Sequence, residues 1–171
     1  MRLLIVLLGL VLAACGTAPA SPGGNDADIR FAQEMVPHHE QSVRLAGLAE
    51  QRAESEFVRA TAHAIAEEET AEIARMNGWL RDWNAGHGGG HSGHTMPGML
   101  PETTFTALED SYGAEFDRAW LTTMAQHLGA GVAMAQAVLS TGRHAETRAL
   151  AEEIVREQQA LIGEINARLA R

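Results

Sequence analysis

The chain has 171 residues and a formal charge of −9, enough for one domain with a modest core. All thirteen basic residues are arginine, they form no cluster, and aromatic residues make up only 5% of the chain, which argues against nucleic-acid binding. A single cysteine rules out an internal disulfide, so packing alone must hold the fold.

The chain opens with MRLLIVLLGLVLAAC: one basic residue, Arg2, then an apolar run from Leu3 to Val11. The run is too short for a stable membrane span and reads as a secretory signal. Leu12-Ala13-Ala14-Cys15 resembles the bacterial lipobox, which implies cleavage before Cys15 and lipidation of that cysteine. Residues 1–14 are therefore expected to be removed. Residues 15–27 are expected to form a lipidated, flexible tether, and residues 28–171 the folded domain. The expected location is outside the cytoplasm, on a membrane anchored through acyl chains, on the periplasmic or cell-surface face. Protein partners cannot be read from the sequence.

The first helix is expected to be capped by Asp26 or Asp28 and to run to about Glu50, with Phe31, Met35, His39, Val43 and Ala46 recurring at helical spacing. Pro37 lies inside it and is expected to kink it. A second helix is expected from about Glu54 to Trp83, with an apolar face of Phe57, Ile65, Ile73, Met76, Leu80 and Trp83. Residues 84–101, NAGHGGGHSGHTMPGMLP, are too rich in glycine for a helix. A short helical segment follows from Thr103 or Thr104. A third long helix spans about Ala114 to Ser140, and a fourth runs from the Thr141-Gly142-Arg143 turn to the C-terminus. No strand pattern occurs. The expected fold is all-α, an antiparallel four-helix bundle.

An internal repeat organises the helices. Sliding the chain by 89 residues aligns Phe31–Leu80 with Trp120–Leu169 without a gap, with thirteen identities, among them Met35/Met124, His38/His127, Arg59/Arg148 and Glu68/Glu157. The domain therefore reads as two related helical hairpins. A pseudo-twofold between them would bring matching positions of the first and third long helices together.

Met-x-x-His occurs in both halves, as Met35…His38 and Met124…His127. Residues three apart are neighbours on a helix surface, so a thioether and an imidazole from each hairpin are expected to converge in the bundle centre. His39 adds an imidazole whose repeat partner is Leu128. Thioether and imidazole favour copper, particularly Cu(I), over iron, calcium or magnesium. A lone methionine or histidine on an apolar face is most often core; the doubled pair shifts the reading toward a metal. Among Glu68, Glu69 and Glu72, Glu68 and Glu72 read as solvated. Glu69, with Gln158 as its repeat partner, is the expected hydrogen-bond acceptor behind a ligating imidazole. His63 and His144 read as exposed and without a specific role. In the middle loop, His87, His91, His94, Met96 and Met99 compose a second, looser candidate site for Cu(I) or Cu(II).

FAQEMVPHHEQSVRLA, IARMNGWL, MPGML and YGAEFDRAWLTTMAQHLGAGVAMA together resemble the domain of unknown function 305 family, over roughly Asp28 to Leu169. The resemblance implies a ferritin-like bundle in a small exported protein, copper binding, and metal roles for Met35, His38, His39, Met124 and His127. The chain departs from the family pattern at Leu128, where a second histidine is common, and at Glu69, where glutamine is frequent. The expected function is copper sequestration, buffering or tolerance outside the cytoplasm, without enzymatic activity. The competing expectations are a ferritin-like metal-dependent oxidase and a structural lipoprotein that binds no metal.

Overall fold

The computed structural model describes residues 23–86 and 98–171. The signal segment, Cys15, and His87, His91, His94 and Met96 of the loop lie outside the described residues. Five helices follow in order: α1 (Asp26–Arg52), α2 (Glu56–Asp82), α3 (Glu102–Glu109), α4 (Gly113–Thr141) and α5 (Ala145–Leu169). Among the described residues no helix is long and apolar enough to cross a membrane.

Asn25, rather than either expected aspartate, caps α1. Its side chain accepts from the Ala27 and Asp28 amides, and the Asp28 carboxylate accepts from the Asn25 amide, a reciprocal capping box. Helix α1 continues through Pro37.

The α1–α2 and α4–α5 hairpins pack internally, and α1 lies against α4; α2 and α5 do not pack closely. The short α3 crosses α1 and α4 and buries Phe105 and Leu108. Two apolar clusters form the core. One takes Leu45–Ala49 of α1, Val58–Ile65 of α2, Phe116–Leu128 of α4 and Ile165 of α5. The other takes Phe31–Val36, Met76–Leu80, Ala135, Val138 and Leu150–Ile154. The first cluster thus uses the C-terminal half of α1 with the N-terminal half of α4, so those helices run antiparallel.

Side chains at turn level tie the halves together reciprocally. The Asp28 carboxylate accepts from the Arg143 and His144 amides at 3.0 and 3.1 Å. Asp117, 89 residues later, accepts from the Glu54 and Ser55 amides at 3.1 and 2.7 Å. Each hairpin's turn is held by the other hairpin's aspartate. Arg59 and Arg148 repeat the pattern locally, donating to the Ala53 and Gly142 carbonyls of their own turns. A Cβ on Gly142 would meet Asp28 Oδ1 at 2.6 Å, so a glycine there admits the carboxylate.

Candidate metal centre

Between the two apolar clusters lies a buried polar layer: His38, His39 and Ser42 from α1, Glu69 and Glu72 from α2, His127 from α4 and Gln158 from α5. Polar side chains are this densely buried only where they meet partners or ligands.

The imidazoles of His38 and His127, one repeat apart, stack with centroids 3.8 Å apart and planes 3° from parallel. His127 Nε2 donates to the His38 carbonyl at 3.1 Å. Both ring nitrogens of His38 and Nδ1 of His127 are buried without a partner. Burial, with His127 and His39 nearby, pushes His38 down to about 2. Burial likewise lowers His127, opposed by the backbone oxygens of His38 and Gly98. Both rings are neutral and keep a lone pair.

The backbone makes room around this pair. A Cβ on Gly131 would lie 3.3 Å from His38 Cε1 and 2.8 Å from Gln158 Oε1; one on Gly98 would lie 3.7 Å from His38 Nε2. Gln41 clamps the loop end beside the rings, accepting from the Leu100 amide at 2.8 Å and donating to its carbonyl at 3.0 Å. Met99, from the loop candidates, is half-buried in this clamped segment.

The thioethers do not converge as expected. Met35 and Met124 are fully buried but belong to different apolar clusters, one on each side of the polar layer. Three residues rise about 4.5 Å along a helix, so in antiparallel helices with paired histidines the two methionines lie roughly 9 Å apart along the axis. Each imidazole keeps its own methionine one turn away.

His39 has a different environment. Its Nε2 bonds Glu72 at 2.8 Å, and its Nδ1 faces Glu69 Oε2 at 3.3 Å without a hydrogen bond. Burial alone would lower His39, but the carboxylates of Glu69 and Glu72 outweigh it and raise it. Burial pushes Glu69 up to about 7, opposed by His39 and the Ser42 hydroxyl. Both nitrogens of His39 thus face carboxylates, Nε2 through a hydrogen bond and Nδ1 across a longer gap. Glu72 is correspondingly buried, where a solvated position was expected; its helical position, four before Met76, puts it on the inward face. Glu69 occupies the buried position expected of it and accepts from Gln158 Nε2 at 3.2 Å. Glu68 is exposed, as expected, and hydrogen-bonds Glu157. That bond, together with burial, pushes Glu68 up to about 8, while Glu68 and Arg156 hold Glu157 low.

The second hairpin carries neutral counterparts throughout. His39, Glu69 and Glu72 correspond to Leu128, Gln158 and Leu161. Leu128 therefore does not leave a gap: where the histidine is gone, its two carboxylates are gone as well.

Residues 28–169 match the family described as Domain of unknown function (DUF305). The chain is a DUF305 protein. Solved DUF305 structures superpose on it closely. A DUF305 protein from Streptomyces coelicolor is 29% identical with a TM-score of 0.77, over 84% of this chain and 92% of that one. A DUF305 fragment from Deinococcus radiodurans is 27% identical with a TM-score of 0.79, over 88% and 99%. CopM in its Cu(II)-bound form is 27% identical with a TM-score of 0.73, over 84% and 95%; CopM has also been captured with Cu(I) and with silver. No curated protein matches the chain.

In this DUF305 protein no three His, Cys, Asp or Glu side chains converge as a metal-binding group among the described residues. What converges is a pair of imidazoles with unpartnered nitrogens, which the glycines beside it let the neighbouring backbone approach closely. That donor set fits a soft, low-coordinate ion better than a hard one. Parallel rings do not aim at a common point, so joint ligation requires one ring to turn. His144, expected to have no role, caps α5 by accepting from the Thr147 amide and packs edge-on against Trp79 and Trp83. Its place just before an Ala-Glu-Thr start is the signal that could have found it.

Proposed function

We propose that this protein is an exported, lipid-anchored copper-binding protein that sequesters or buffers copper outside the cytoplasm and is not primarily an enzyme. One observation carries the reading: His38, fully buried and neutral, with neither ring nitrogen partnered, stacked on its repeat counterpart. Unpartnered buried nitrogens are costly unless a ligand satisfies them. A neutral imidazole also binds metal without first losing a proton. Met35 and Met124 supply one soft thioether beside each ring. The likeness to CopM, solved with Cu(I), Cu(II) and silver, supports the choice of metal. The loop histidines and methionines form a second, weaker copper site in this reading.

The test is Cu(I) stoichiometry and affinity by chelator competition on the chain from Gly16 onward. It is repeated with Met35, His38, Met124 and His127 changed to Ala, and separately with residues 86–99 deleted. Loss of the tight site in the first variant and of weaker binding in the second supports the reading. Copper binding that is absent, or indifferent to both changes, overturns it.

A further inference from the structure

Three seams of the helical ring bring backbones close together; the fourth, between α2 and α5, is wider and is bridged by side chains, Trp79 to Glu146 at 3.0 Å, Arg75 to Glu153 at 3.5 Å and Gln158 to Glu69 at 3.2 Å. It holds a cavity of about 110 Å³, whose polar lining is Glu68, Glu69, Glu72, Glu157 and Gln158. That is room for about three waters. Every ionisable group lining it is a carboxylate.

Pairs of positions 89 apart lead inward from the cleft. Glu68 and Glu157 face each other at the rim. Arg156 holds Glu157 Oε1 at 2.8 Å, and Glu157 also hydrogen-bonds Glu68. Glu69 and Gln158 come next, bridged at 3.2 Å. Both side chains are more than nine-tenths buried, at 3% and 8% exposure; Gln158 Oε1 has no partner, and Glu69 Oε2 makes no hydrogen bond and faces only His39 Nδ1 at 3.3 Å. His38 and His127 are innermost. A Cβ on Gly131 would lie 2.8 Å from Gln158 Oε1 and 3.3 Å from His38 Cε1, so Gln158, which lines the cleft, stands between it and the imidazole pair.

We propose that the α2–α5 cleft is the route by which a metal cation reaches the His38–His127 pair, with Glu68 and Glu157 attracting the hydrated ion and Glu69–Gln158 forming the gate it passes. This rests on the metal-binding reading above. An acidic cleft with apolar walls focuses the field and raises the local cation concentration. Carboxylate oxygens hold a soft ion weakly, so the rim steers the ion without trapping it, and nitrogen and sulfur donors take it over inside.

The experiment is stopped-flow loading of the mature chain with Ag(I) in nitrate buffer, read by tryptophan fluorescence, with equilibrium affinity measured in parallel. Glu68→Gln/Glu157→Gln should slow association about tenfold at low ionic strength and weaken its salt dependence, with affinity unchanged. Glu157→Lys should slow it further. Equal rates and equal salt dependence in wild type and variants overturn the route alone. A wild-type chain that takes up no silver overturns both the route and the metal reading.

Discussion

Histidines 38 and 39 are adjacent, yet the fold gives them opposite chemistry. His38 turns to the pseudo-twofold and is stripped of partners; His39 turns to α2 and meets two carboxylates. Replacing His39 with Leu leaves Glu69 and Glu72 buried and unpaired, and should cost about 3–5 kcal/mol in urea unfolding. The triple change His39→Leu, Glu69→Gln, Glu72→Leu copies the second hairpin's solution and should recover most of that loss. The two histidines also respond oppositely to pH. His38 falls from 6.5 to about 2 on folding, so below pH 6.5 the unfolded chain binds a proton that the folded chain refuses. Its contribution is complete above 6.5 and lost as pH falls toward 2. His39 is raised, so its contribution is complete below 6.5 and lost as pH rises through its folded value. Between about pH 6 and 4, the stability of wild type relative to His38→Gln should therefore drop by about 1.4 kcal/mol per pH unit.

Helix boundaries were legible to within a few residues, because caps, turns and apolar spacing are local signals. The short α3 and the break before α4 were legible for the same reason. Two things at this scale were not. Glu72 was read as solvated because the inward face of α2 was traced through apolar residues, including Ile73, which is only half-buried. The Asp28 and Asp117 staples escaped because each aspartate acts on the opposite hairpin, and the aligned repeat window began three residues later. Asp28→Ala and Asp117→Ala strand turn amides that no water replaces fully. Each should cost about 1–3 kcal/mol, with Asp28 the dearer because it is fully buried. The sites lie at opposite ends of the bundle, so the double variant should be close to additive in urea unfolding.

For the whole molecule, a metal held only by the folded state must raise its stability by mass action. Silver at about one hundred times its dissociation constant should add about 2.7 kcal/mol, seen as a concentration-dependent rise in Tm. Two glycines of α4 separate binding from folding. Gly129 faces open space, so Gly129→Ala should stabilise the apo protein by about 0.5–1 kcal/mol and leave the silver shift intact. Gly131→Ala puts a methyl against Gln158 Oε1 and His38 Cε1 and should shrink the silver shift.

The sequence by itself determined the five helices, the 89-residue duplication and the doubled Met-x-x-His. All three are periodic or local, and periodicity survives without knowledge of the partner surface. Only the tertiary structure decided which of those donors meet. A twofold between antiparallel helices joins the positions that lie on its axis, here the imidazoles, and carries positions one turn away in opposite directions, here the thioethers. It also decided what surrounds His39: Glu69 and Glu72, a buried cluster whose three members change together between the halves.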